Sequence, residues 1–122
     1  MPRKLLISII DDNESFRTAL VEYLGSLGYI GHGFVSAEDF IAGDANISYD
    51  CVITDLQMPG MSGFELTRLL SARGSAASVI IITARAEPGL EVKATASGAV
   101  CLLRKPFETD VLIDCIERTA KR

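Results

Sequence analysis

The chain has 122 residues, 48% of them hydrophobic and 23% charged, which is the balance of one folded domain with a single core rather than of a disordered segment. Its net charge of −4 excludes the basic footprint with which a domain grips nucleic acid. No apolar run approaches the ~20 residues of a membrane span, so a cytoplasmic protein with no membrane contact is expected.

Arg3 and Lys4 before apolar residues briefly imitate a signal peptide, but the apolar stretch ends at Ile10, too short for a secretory core. That stretch, 4–10, reads as the first strand, and it runs into two adjacent acids, Asp11 and Asp12, within SIIDDNES. Like charges about 4 Å apart repel by roughly 4 kcal/mol at an effective dielectric near 20. Either both acids are well solvated or a cation belongs between them. Phe16, Leu20, Leu24 and Leu27 then step by four or three, predicting a helix over 14–27. The second strand, 29–35, is diluted by glycine and suits a sheet edge, with the lone His32 on its surface.

Ser36 with Asp39, and Ser62 with Glu65, have capping-box spacing and open the second and third helices on either side of a third strand, CVIT at 51–54. The fourth strand is SVIIIT at 78–83. The helix after it, 87–97, starts at Pro88 and Gly89 and has only Leu90, Ala94 and Ala96 as an apolar stripe, so it should be the least stable part of the fold. A fifth strand, 99–104, precedes a last helix marked by Phe107, Val111, Cys115, Ile116 and Ala120. Cys51, Cys101 and Cys115 form no CxxC pair and read as small buried hydrophobes.

Four nearly continuous apolar strands alternating with helices imply an α/β fold whose parallel sheet is covered on both faces. The doubly wound order 2-1-3-4-5 is expected over a single domain, 1–122. In such a sheet all strands end at one edge, where ligands bind. Asp11, Asp12, Asp55, Thr83 and Lys105 fall at four of those five ends. Three acids alone would repel a phosphate; Mg2+ reverses that, being held by carboxylates, water and phosphate oxygens. Lys105 and Thr83 could then meet a phosphoryl group that Asp55 attacks.

With IIDDNES, VITDLQMPGMSGFEL, IIITA and GAVCLLRKPF, the whole chain resembles the receiver domain of bacterial two-component response regulators, a flavodoxin-like (βα)5 fold. The resemblance implies that Asp55 is the phosphoacceptor. It implies that Asp12, Asp55 and the backbone carbonyl of Gln57 ligate Mg2+ directly, Asp11 acting through water. Thr83 would be the hydroxyl that moves onto the phosphoryl group and Lys105 its ion-pair partner, followed by a cis bond to Pro106. Gly60 and Gly63 fit the family's tight turn, and Gln57 and Arg85 occupy positions that tune water access.

The donor implied is a sensor histidine kinase or phosphotransfer protein. The output implied runs through the face of the fourth helix, fifth strand and fifth helix, toward a homodimer on phosphorylation or a C-terminal helix-turn-helix of the LuxR type. Such a domain is a phosphoacceptor that assists its own phosphotransfer and turns over no external substrate. One departure is plain: Leu102 stands where relatives carry the aromatic member of the switch, so signalling is expected to run through Thr83 and segment 85–98. A receiver-like binding module without the chemistry, a Mg2+-dependent phosphatase and a flavin protein are the other readings. The phosphatase would place a D-x-D pair after one strand, and the flavin protein would want Gly, Ser or Thr in the first loop.

Overall fold

The computed structural model describes residues 4–43 and 47–120, without the side chains of 119 and 120; Arg3 and the side chain of Ala120 therefore lie outside the described residues. Five strands, β1 (Leu6–Ile10), β2 (Ile30–Phe34), β3 (Cys51–Asp55), β4 (Ser78–Thr83) and β5 (Cys101–Arg104), all pair in parallel in the order β2-β1-β3-β4-β5. Five helices separate them: α1 (Glu14–Ser26), α2 (Ala37–Ile41), α3 (Gly63–Ala72), α4 (Leu90–Ser97) and α5 (Thr109–Ala120).

Side chains alternate across a strand, so a run such as Ile80-Ile81-Ile82 feeds both faces of the sheet. Ile80 and Ile82 join Ile7, Ile9, Leu24, Leu112 and Ile116 in one core layer. Ile81 joins Ile10, Val52, Leu66, Leu90 and Ala94 in the other. With both faces covered, β1, β3 and β4 are buried at consecutive positions, mostly through apolar side chains, with Ser8 and Thr54 interspersed. As expected for an edge, β2 is only partly buried. His32 is half-buried rather than on the surface, its Nδ1 2.9 Å from the Tyr49 hydroxyl.

The helix starts follow their caps. Asn13 accepts the Phe16 N–H at α1, and Ser62 and Glu65 exchange both hydrogen bonds of a capping box at α3. At α2 only Ser36 caps, accepting the Asp39 N–H; an aspartate at this position is one methylene shorter than the glutamate of a full box.

Three apolar stripes shift from their expected positions. Leu27 is 49% exposed because the chain leaves α1 there. In α5 the core face is Leu112, Cys115 and Ile116, with Val111 turned outward. In α4 it is Leu90, Ala94 and Ser97, a strict four-then-three spacing that leaves Ala96 exposed. That helix has no side-chain cap at its N-terminus and begins only at Leu90. No helix among the described residues is long and apolar enough to cross a membrane.

Candidate functional site

The C-terminal ends of β1 and β3 bring Asp11, Asp12 and Asp55 together, one oxygen from each lying within 4.8 Å of the others. Adjacent residues at a strand end point opposite ways, and the pair divides accordingly. Asp11 is 1% exposed, whereas Asp12 stands in solvent. Burying a carboxylate demands partners. Asp11 has them: Lys105 Nζ lies 2.9 Å from Oδ2, and the Asn13 N–H donates to Oδ1 at 2.9 Å. The Arg17 guanidinium also fixes the backbone here, donating to the Asp11 carbonyl at 2.7 Å.

Asp55 is half-buried at the end of the central strand. Burial and then the neighbouring Asp11 charge push its carboxyl up to about 6, with Asp12 adding to the effect and Lys105 and the Leu56 N–H opposing it. A carboxyl with that balance is short of positive charge, which is what a dication between the acids would supply.

Lys105 is held from two sides. Its ammonium sits 4.1 Å from the centre of the Phe16 ring while pairing with Asp11. Its backbone N–H donates to the Thr83 carbonyl at 2.7 Å, and the following bond to Pro106 is cis. Thr83 is buried, and its hydroxyl accepts the Arg85 N–H at 3.0 Å. All five residues expected at the strand ends thus reach one rim of the sheet.

The loop after Asp55 closes tightly. Gly60 adopts φ +85°, and a Cβ on Gly63 would lie 2.7 Å from the Asp55 carbonyl oxygen, so only glycine lets α3 start this close to the end of β3. Exposed Gln57 and half-buried Arg85 line a hollow of about 350 Å³ beside this loop. The Arg85 guanidinium does not screen the acids; it forks onto Glu87, Nε donating to Oε1 at 2.6 Å and Nη2 pairing with Oε2. Leu102 is half-buried against the core layer that contains Leu90 and Ala94.

Four contributors had no local signal. Phe16 and Arg17 read only as helix residues, and Glu87 only as the first residue of the fourth helix, which instead starts at Leu90. Glu38 of α2 accepts the Met61 N–H at 2.7 Å, tethering the loop after Asp55 across 23 positions of sequence.

The family model for the response regulator receiver domain matches residues 7–117. The chain belongs to this family. It is similar to the transcriptional regulatory protein FixJ of Azorhizobium caulinodans, at 34% identity over all of this chain and 58% of the relative. FixJ of Rhizobium meliloti is 36% identical over 94% of this chain and 56% of its own length. The crystal structure of FixJ-N superposes with a TM-score of 0.89 at 35% identity, covering 99% of this receiver and 97% of that chain. This receiver therefore spans somewhat more than half the length of the curated relatives it matches. Its fold is that of receiver domains, with the five parallel strands in the order 2-1-3-4-5.

Proposed function

We propose that this receiver is a phosphorylation-operated switch in which Asp55 accepts a phosphoryl group from the phosphohistidine of a sensor histidine kinase or phosphotransfer protein. The observation that carries the reading is the convergence of Asp11, Asp12 and Asp55 around one point, with Lys105 already bonded to Asp11 at its edge. The donor set fits Mg2+, a hard cation that takes oxygen ligands and keeps several waters. Asp12, Asp55 and the Gln57 carbonyl would hold it directly, and Asp11, deep and committed to Lys105, through water. When bound, Mg2+ offsets the carboxylate repulsion and polarises phosphoryl oxygens.

An Asp55 carboxylate oxygen then forms the O–P bond as the P–N bond to the donor imidazole breaks. Lys105 neutralises charge on the incoming group from the side opposite the solvent-facing acid. The Thr83 hydroxyl, swinging to donate to a phosphoryl oxygen, gives up the Arg85 N–H that it accepts at rest. That release loosens the segment leading into α4, so the signal leaves through residues 85–98 with Leu102 as a passive neighbour. The donor docks beside α1, where Phe16, Ala19, Tyr23, Lys105 and Pro106 line an apolar hollow of about 570 Å³.

The domain acts as a phosphoacceptor in the cytoplasm, without turnover of an external substrate. It controls a DNA-binding output domain that follows it, by homodimerisation through α4, β5 and α5. Support for an output of this kind is that FixJ, a transcriptional regulatory protein, is longer than this chain.

The test is labelling by a small acyl phosphate with Mg2+ present. Wild type should be modified at Asp55, Asp55→Asn not at all, and wild type with a chelator only at background. Amide exchange in 85–98 should rise on adding a phosphoryl mimic; unchanged exchange there sinks the Thr83 route while leaving the chemistry standing.

A further inference from the structure

Outside the acid site, α5 and the edge strand β5 place two thiols under one guanidinium. Arg118 Nη2 lies 3.5 Å from Cys115 Sγ and 3.8 Å from Cys101 Sγ, so both sulfurs are in contact with the same nitrogen. Cys101 is also close enough to donate its S–H to Cys115. Cys115 is buried, but Cys101 is half-exposed. Both line a groove of about 280 Å³, together with Val100, Leu102, Val111 and Arg118, that is wide enough to admit a small oxidant. The third thiol, Cys51, is 2% exposed in the core beneath and does not line the groove. A soft-metal site is disfavoured. Among the described residues, the three aspartates are the only group of three or more His, Cys, Asp or Glu side chains whose ligand atoms gather within 4.8 Å, so the two thiols have no third ligand beside them.

We infer that Cys101 and Cys115 form a peroxide-sensitive dithiol that closes to an intramolecular disulfide joining β5 to α5. In the first step one thiol sulfur attacks the peroxide, the O–O bond breaks, and a sulfenic acid and water or an alcohol result. The second sulfur then attacks the first, the S–O bond breaks, and a second water leaves carrying both remaining protons. The thiols lose two electrons and the peroxide gains them. Arg118, with a hydrogen to offer each sulfur, stabilises the negative charge that develops on the attacking one. Burial, and then the hydrogen bond to Cys115, hold the Cys101 thiol up at about 12. The pair therefore rests as a dithiol at neutral pH and responds slowly, as a stress sensor rather than a peroxidase. The inference needs nothing from the phosphorylation chemistry.

The test treats the folded chain with dilute hydrogen peroxide, blocks the remaining thiols and digests with trypsin. The expected product is peptide 94–104 joined to peptide 105–118, with Cys51 recovered as a blocked thiol and the link reversed by dithiothreitol. Cys101→Ser should abolish the link, Cys51→Ala should leave it, and Arg118→Leu should slow its formation several-fold. Four results overturn the inference: both thiols still blockable after treatment, a link to Cys51, a link between two chains, or sulfinic acid alone at Cys101. The wild-type peptide map, read with a non-reducing gel that separates monomer from linked dimer, decides among these without relying on any variant to fold.

Discussion

The two halves of the sheet's functional rim are built differently. At β1 and β3 the acids stand on strands buried on both faces, and their loops are fastened by Arg17, Asn13 and Glu38. At β4 the path from Thr83 to Leu90 is fastened by one hydroxyl and one exposed ion pair, and it enters a helix of eight residues with no side-chain cap. The half that carries the acids is braced, while the segment leading into α4 has fewer fastenings and is expected to open more readily. The contrast teaches where the proposed phosphorylation of Asp55 would be felt: the braced half resists distortion, so the response is expected at the other.

The sharpest way to separate the halves is to damage their cores. Leu66→Ala, beneath the loop after Asp55 and fully buried, should cost about 3 kcal/mol in urea unfolding and destabilise the whole domain. Loss confined to α4 would break the comparison. Next, Mg2+ at a hundred times its dissociation constant should add about 2.7 kcal/mol, followed as a rise in melting temperature, and Asp12→Asn should remove most of it. That gain should appear at β1 and β3 in hydrogen exchange and leave 85–98 nearly as labile as before.

Two smaller effects refine the picture. Thr83→Ala removes the acceptor of the Arg85 N–H and should accelerate exchange in 85–98 by an amount worth about 1 kcal/mol, with little change in global unfolding. Asp55→Asn tests the electrostatic cost of the braced half. The Asp55 carboxyl is raised in the fold from 3.8 to about 6, so the folded state favours the protonated form. Its stabilising contribution is fully present below pH 3.8 and is lost as pH rises through about 6. Without Mg2+, Asp55→Asn should therefore stabilise the protein at pH 7.5 by about 1 kcal/mol, a figure discounted for solvent screening, and by almost nothing at pH 3.5. Equal effects at both pH values would contradict the assignment of the strain to charge.

Nearly all of the architecture was legible because it rests on runs and periods. SVIIIT reads as a strand buried on both sides, and alternation with handedness leaves few strand orders, among which the family resemblance pointed to the one observed. The five polar residues at the strand ends were legible for the same reason, since a parallel sheet delivers its ends to one edge. The misplacements at Leu27, Val111 and Ala96 were of a different kind. At Val111 and Ala96 the helix was right and the stripe drawn one position off, because Val and Leu or Ala and Ser side by side leave the phase of a short helix undetermined. At Leu27 the stripe was in phase but the helix ended one residue sooner. What sequence could not offer was the bracing. Glu38 on Met61, Phe16 under Lys105 and Arg85 turned onto Glu87 are pairings of side chains that carry no pattern of their own.

The Thr83–Arg85 hydrogen bond has one further consequence. The threonine contributes its side chain, but position 85 contributes only its main-chain amide. Nineteen of the twenty amino acids have that amide, and proline alone does not. The side chain at position 85 can therefore be exchanged for any other but proline without removing the donor of this hydrogen bond. If Thr83 acts as proposed, its resting partner survives every such change but one.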